Sequence, residues 1–173
     1  MLVPFGVGPE ILLQTDLFAD LPPETTSGLV ERCRWREVTS DDLLIDGTVR
    51  QPHGVFILAD GRAEVFRNKN KNGSFVSLAN LNAVDCFGEF AAITGEPGSA
   101  SVRCTSPSVV GEIHPSDFVE LLKERTVLSI RLLSKVIHKM RRMDEAFEAA
   151  HIRNSSREAL IRDVHRDLMV SSL

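Results

Sequence analysis

Three patterns of apolar and polar positions follow one another along the chain. Residues 9 to 34 group their apolar positions as helices do: Ile11, Leu12 and Leu13, then Leu17, Phe18 and Leu21. "DLPPE" at 20–24 interrupts them, and Leu29 and Val30 then share one side of a second stretch. Proline opens such a stretch at little cost, because its missing N–H would be unpaired in a first helical turn. From 35 to 115 the pattern changes to short apolar runs separated by turn residues: "REV", "DLLI", "GVFILA", "AEVFR", "SFVSLANL", "SASVRC" and "SVVGEI". Asp60-Gly61 between two such runs predicts a tight hairpin with positive φ at both turn positions. "NKNKNG" at 68–73 predicts a polar hairpin tip.

After Pro115 the pattern is helical again. "PSDFVELLKER" predicts a short amphipathic helix, with Ser116 or Asp117 available as its cap. A long helix follows over 127–150, in which Leu133, Val136, Met140, Met143, Phe147 and Ala150 are spaced 3, 4, 3, 4, 3. That is an a/d seam, with Lys139 at g and Asp144 at the next e as complementary charges across a parallel dimer. The seam runs about two and a half heptads, short of the three to four that identify a coiled coil. A further helix is expected over 154–170, where Ser155 and Glu158 have capping-box spacing and Leu160, Val164 and Leu168 form a narrow apolar face.

Seven or eight strands at near-regular spacing between helical ends predict an α+β, mainly β fold. Its expected form is an antiparallel β-roll or jelly roll, flanked by N-terminal helices and a long C-terminal helix. Helical patterns do not alternate with the strands, which disfavours a parallel sheet. The expected division is a domain over 1–150, including the long helix, and a short helical extension over 151–173.

Composition narrows the function. Of 173 residues 43% are hydrophobic and 25% charged, enough for a real core in a single domain. A net charge of −4 argues against a chain built to coat nucleic acid or anionic membrane, and no apolar run reaches the roughly 20 residues that span a bilayer. Cys33, Cys86 and Cys104 are odd in number and form no C-x-x-C, so disulfide frameworks are disfavoured and a cytoplasmic location is expected. The five histidines show no metal-ligand spacing, and no motif fixes a nucleophile beside a base. Neither a metal, a cofactor nor catalysis is expected.

The most informative stretch is "FGEFAAITGEPGSASV" at 87–102. With the order helices, β-roll, short helix, long helix, it resembles the cyclic nucleotide-binding domain family, over roughly residues 17–150. That family includes catabolite-activator-type regulators, regulatory subunits of cyclic-nucleotide-dependent kinases and gated channels. Its phosphate-binding cassette runs approximately F-G-E-L-A-L, a turn, then R-[AST]-A-[ST]-V. Phe87, Gly88, Glu89, Ala91, Ala100, Ser101 and Val102 match it, and Phe90 is an apolar variant of the usual Leu. "LLIDGT" at 43–48 and "VFILADGRAEV" at 55–65 support the match.

The resemblance implies a non-catalytic sensor for cAMP or cGMP. Glu89 would accept a hydrogen bond from the ribose 2′-hydroxyl, the small residues would let main-chain N–H groups close on the cyclic phosphate, and Ser99 would offer a hydroxyl. Gly98 departs from the pattern, standing where the family carries its phosphate-binding arginine. Arg50 and Arg103 are the nearest cations in sequence, and Asp144 lies near the helix position that reads the base in the catabolite-activator branch. That branch also implies a homodimer through Leu133, Val136, Met140, Met143 and Phe147. Only 23 residues follow Ala150, too few for a winged helix-turn-helix, so direct DNA binding by this chain is not expected: either output passes to an unknown protein partner, or the sequence is a fragment of a longer protein. Two alternatives stand beside this reading: a ligand-independent dimerisation or docking module of the same fold, and a sensor for another anion such as a cyclic dinucleotide.

Overall fold

A computed structural model describes residues 7–49, 53–68, 74–96, 98 and 100–170, with the backbone alone at 150 and 152–170. Two compact units divide the chain, Met1–Arg131 and Leu132–Leu173.

The first unit opens with α1 (Glu10–Leu13) and α2 (Pro23–Arg32), matching the two apolar groups separated by the proline pair. Eight strands follow: β1 (Arg34–Val38), β2 (Leu43–Ile45), β3 (Val55–Asp60), β4 (Arg62–Asn68), β5 (Phe75–Asn82), β6 (Cys86–Phe87), β7 (Ser101–Cys104) and β8 (Ser108–Ile113). They form two antiparallel four-stranded sheets, ordered β1-β8-β3-β6 and β2-β7-β4-β5. The mainly β, jelly-roll-like architecture expected from the strand spacing is therefore present. β3 is buried along most of its length, as a strand covered on both faces must be. A shared core of Leu44, Phe56, Leu58, Phe87, Val102 and Val110 draws on strands of both sheets. Phe56 and Phe87 stack with centroids 5.3 Å apart, worth about 0.5–1.5 kcal/mol beyond the area they bury.

Trp35 on β1 lies across from Gly111 on β8, and a Cβ at Gly111 would fall 2.6 Å from the indole ring. The indole N–H donates to the Val30 carbonyl at 2.9 Å, tying β1 to α2. The Asp60-Gly61 hairpin is present, but only Gly61 has positive φ (95°); Asp60 stays extended and its carboxylate accepts from the Gly61 N–H. β4 and β5 pair from Arg62↔Asn82 to Asn68↔Phe75, as two arms of a hairpin whose expected tip, 69–73, lies outside the described residues.

α4 (Pro115–Glu124) is the short amphipathic helix, burying Phe118 and Leu121. Its cap is neither Ser116 nor Asp117 but His114, whose Nδ1 accepts from the Ser116 N–H at 3.3 Å. Pro115 occupies the first helical position and holds His114 extended (ψ 142°), which places the cap two residues before the serine. α5 runs without interruption from Thr126 to Val170. The fresh start expected at Ser155 is absent, because a Ser and a Glu three apart sit as readily inside a helix as at its end. Within the first unit Arg131 anchors the start of α5, donating through Nε to Asp20 Oδ2 at 2.7 Å and through Nη1 to the Asp16 carbonyl at 2.9 Å.

Candidate ligand-binding site

The cassette opens on a left-handed residue, Gly88. β6 is only two residues long, held on β3 by the pairs Phe56↔Phe87 and Ile57↔Cys86. Gly88 then turns the chain with φ 88°, a conformation that disfavours any side chain, and caps α3 (Glu89–Thr94). A Cβ at Gly88 would lie 2.6 Å from the Gly54 carbonyl oxygen, so glycine is required by space as well as by φ. α3 ends at Gly95, also left-handed (φ 68°), whose N–H returns to the Ala91 carbonyl at 3.0 Å. This is the glycine-closed helix end that satisfies an otherwise orphan carbonyl. The helix packs on β3 and α4.

Glu89, the first residue of α3, is only 4% exposed. Phe90 and Ala91 are half-buried beside it, and Gly98 is exposed. Among the described residues, its chain neighbours aside, a Cβ added at Gly98 would meet nothing nearer than the Ala100 carbonyl oxygen at 4.0 Å. Ala100 is gripped from the opposite side of the sequence. A Cβ on Gly47 would fall 2.8 Å from the Ala100 carbonyl carbon and oxygen, so only glycine permits the two backbones this close. The Gly47 N–H donates to Ser101 Oγ at 3.0 Å, a partly buried bond worth about 1 kcal/mol. Beside it Asp46 accepts from the Thr48 hydroxyl at 2.7 Å and from its N–H at 2.9 Å, holding the carboxyl below the usual aspartate range. The "LLIDGT" stretch thus braces the cassette; its glycine is the signal in the sequence, although the pairing of positions 47 and 101 is not visible there.

Arg103 is engaged elsewhere. It alternates with Val102 and Cys104, which belong to the core, and its guanidinium binds Glu64 through Nη2 at 2.8 Å and Nε at 3.2 Å. It also lies over the rings of Phe66 and Phe75, 5.0 and 4.5 Å from their centroids. Ser77 and then Arg103 hold the Glu64 carboxyl below the ordinary glutamate value. Arg50 and Ser99, with Pro97, lie outside the described residues. Asp144 is exposed on α5 in the second unit.

Other chemistry finds no support nearby. Burial pushes the Cys33 thiol up to about 12 and raises that of Cys104 as well, which suits inert core cysteines. Among the described residues no three His, Cys, Asp or Glu side chains gather as a metal site. No described helix is long and apolar enough to cross a membrane. A surface depression of about 360 Å³ lies among Glu37, Val38, Thr39, Asp42, Asp60 and Ser108, none of them cassette residues.

A two-sheet roll whose cassette is a glycine-opened helix with a buried carboxylate at its first residue has the architecture of a small-ligand sensor domain. The sequence model of the cyclic nucleotide-binding domain matches residues 35–125, more than half of the chain, and the chain belongs to that family. Domains of this family are generally regulatory. No curated protein matches the chain by sequence.

Solved structures agree on the fold. The catabolite activator protein of Thermus thermophilus superposes with TM-score 0.67 at 18% identity, over 78% of this chain and 62% of that protein. The sensor domain of the transcriptional regulator DNR from Pseudomonas aeruginosa gives 0.64 at 18% identity, over 76% of this chain and 91% of that domain. The regulatory domain of Toxoplasma gondii PKA, solved with cAMP, gives 0.61 at 22% identity, over 76% and 48%. The chain thus spans under two thirds of the Thermus protein's length.

Proposed function

We propose that this chain is a non-catalytic sensor domain, cytoplasmic and homodimeric through 127–150 of α5, that binds cAMP or cGMP weakly. The supporting observation is the pairing of a buried Glu89 with an open, uncharged position at Gly98. In this reading Glu89 receives the ribose hydroxyl, and the amides around Gly98 and Ala100 receive the cyclic phosphate without a guanidinium. Losing one partner of a buried charge pair costs about 2–5 kcal/mol. A site of micromolar design then binds with a dissociation constant between tens of micromolar and millimolar. Output passes from the cassette to α4, on which α3 packs, and then to a protein partner.

Titration calorimetry with cAMP, cGMP and the pyrimidine cyclic nucleotides tests the reading. A dissociation constant in that weak range supports it. Submicromolar binding contradicts the role given to Gly98. Absence of both heat and thermal shift at millimolar ligand favours the second reading, a docking module that keeps the fold without the ligand. One observation speaks for that second reading: Arg103, a nearby cation in sequence, is already committed to Glu64.

A further inference from the structure

We propose that His53, on the loop that enters β3, supplies the hydrogen bond to the cyclic phosphate that Gly98 does not. This rests on the sensor reading above and names the side chain that stands in for the guanidinium.

The starting observation is a buried nitrogen without a partner. Among the described residues, three side-chain polar atoms are buried and hydrogen-bonded to nothing: Thr25 Oγ1, His53 Nε2 and Arg125 Nε. Thr25 belongs to α2 and Arg125 closes α4, whereas His53 stands two residues ahead of β3. Burying a polar atom that pairs with nothing is unfavourable, so native chains keep few of them. Those that persist gather at functional sites, where an unpaired donor is already in place for a ligand.

Two contacts tie His53 to both segments that frame the cassette. The first is through the next residue, Gly54. A Cβ at Gly88 would fall 2.6 Å from the Gly54 carbonyl oxygen. The pairing Phe56↔Phe87 is antiparallel, so the backbone ahead of β3 runs toward Gly88 and Glu89. The second contact is with Asp46. The hydroxyl and N–H of Thr48 hold the Asp46 carboxyl low, and the charge of the His53 imidazole adds to them. His53 is therefore within electrostatic reach of the "LLIDGT" turn, whose Gly47 is pressed against Ala100.

The chemistry of the surroundings favours the same assignment. Asp46 and Glu89 are carboxylates, and so is Glu112, whose Cγ lies 2.9 Å from the place of a Gly54 Cβ. An anion is accepted among such groups only where a donor meets it. Arg103 is not that donor, being held by Glu64 and by the rings of Phe66 and Phe75. An imidazole N–H at Nε2 donates one directional bond to a phosphate oxygen. It lacks the paired bonds and fixed charge of a guanidinium, so a site built on His53 binds more weakly than one built on arginine. That agrees with the weak affinity proposed above.

Three measurements on the full chain test the assignment: thermal unfolding without ligand, calorimetry with cAMP, and imidazole nitrogen NMR. His53→Leu keeps similar volume and removes the unpaired nitrogen. Without ligand this variant is expected to melt at or above the wild-type temperature, while its affinity for cAMP falls roughly 10- to 100-fold. His53→Gln, which returns an N–H at similar reach, is expected to stay close to wild type in affinity. In the wild-type spectrum cAMP is expected to move the His53 Nε2 resonance, and adenosine, which lacks the phosphate, is expected to leave it in place. Equal cAMP affinity in His53→Leu and wild type overturns the assignment and leaves the sensor reading standing. A His53→Leu chain that melts several degrees lower makes His53 a structural brace and overturns it as well. So does a resonance that adenosine moves as far as cAMP. A wild-type chain that gives neither heat nor thermal shift with millimolar cAMP or cGMP overturns the sensor reading and this assignment together.

Discussion

Gly98→Arg is expected to tighten cAMP binding by roughly 30-fold to several thousand-fold, the range that corresponds to about 2–5 kcal/mol. The size follows from what a guanidinium supplies: a fixed positive charge and paired, charge-assisted hydrogen bonds to phosphate oxygens. The position is open to it. Among the described residues, its chain neighbours aside, only the Ala100 carbonyl comes within 4 Å of the added Cβ, and Gly98 does not need the left-handed backbone that Gly88 and Gly95 adopt. The rest of the shell is formed, with Glu89 buried and Ala100 braced by Gly47. Calorimetry on the two proteins side by side reads the effect. Binding that appears only in the variant makes the natural chain a docking module. An affinity equal in both proteins removes the cyclic phosphate from the neighbourhood of position 98, and the cassette would have to be assigned to another ligand.

The second large effect is on stability. Gly88→Ala is expected to cost about 2–4 kcal/mol, through a side chain forced to φ 88° and a Cβ 2.6 Å from the Gly54 carbonyl oxygen. Gly54 runs close to β8 as well, since a Cβ built on it would fall 2.4 Å from the Ile113 carbonyl oxygen. Thermal unfolding should fall by roughly 5–15 °C, at a few degrees per kcal/mol for a chain of this size. Gly95→Asn is the matching control. Gly95 is left-handed too, but nothing stands within 4 Å of its Cβ, and asparagine is the next best residue at such a helix end. It should cost less than about 1 kcal/mol. Equal losses in the two variants would mean that φ alone, and not the close packing on β3, fixes the cassette.

Much of this architecture is legible in the sequence because it is written in local period. Alternating runs between turn residues give the roll, and Gly88-Glu89 with "SASV" gives the cassette. What escapes is whatever depends on two distant segments meeting. The approach of Gly47 to Ala100 links positions 53 residues apart, and the Arg103–Glu64 pair follows from the register of β7 on β4. Neither register is encoded in any single window. Besides the positive φ expected at Asp60, two local readings went astray, each for a physical reason. Histidine is a rare cap, and it serves in α4 because Pro115 holds the residue before it extended. Ser155-x-x-Glu158 carries the letters of a helix start, but the helical ladder passes through it, and a motif that also occurs mid-helix cannot mark an end by itself.

Trp35 gives the fold an optical signature. It is the only tryptophan, and the chain has no tyrosine, so emission excited at the red edge of the aromatic band comes from one indole. That indole is 5% exposed, packed over Gly111 and bonded to Val30, so a folded chain emits to the blue and shifts red as α2, β1 and β8 come apart. The cassette sits on β6, α3 and β7, and β6 reaches β8 only through β3. A ligand held at Glu89 would therefore be spectrally silent at this indole while its effects stay within the cassette. Any change in emission on adding a nucleotide becomes a measure of motion carried beyond the cassette, through β3 or through α4, whose Phe118 meets Phe18 of the N-terminal segment.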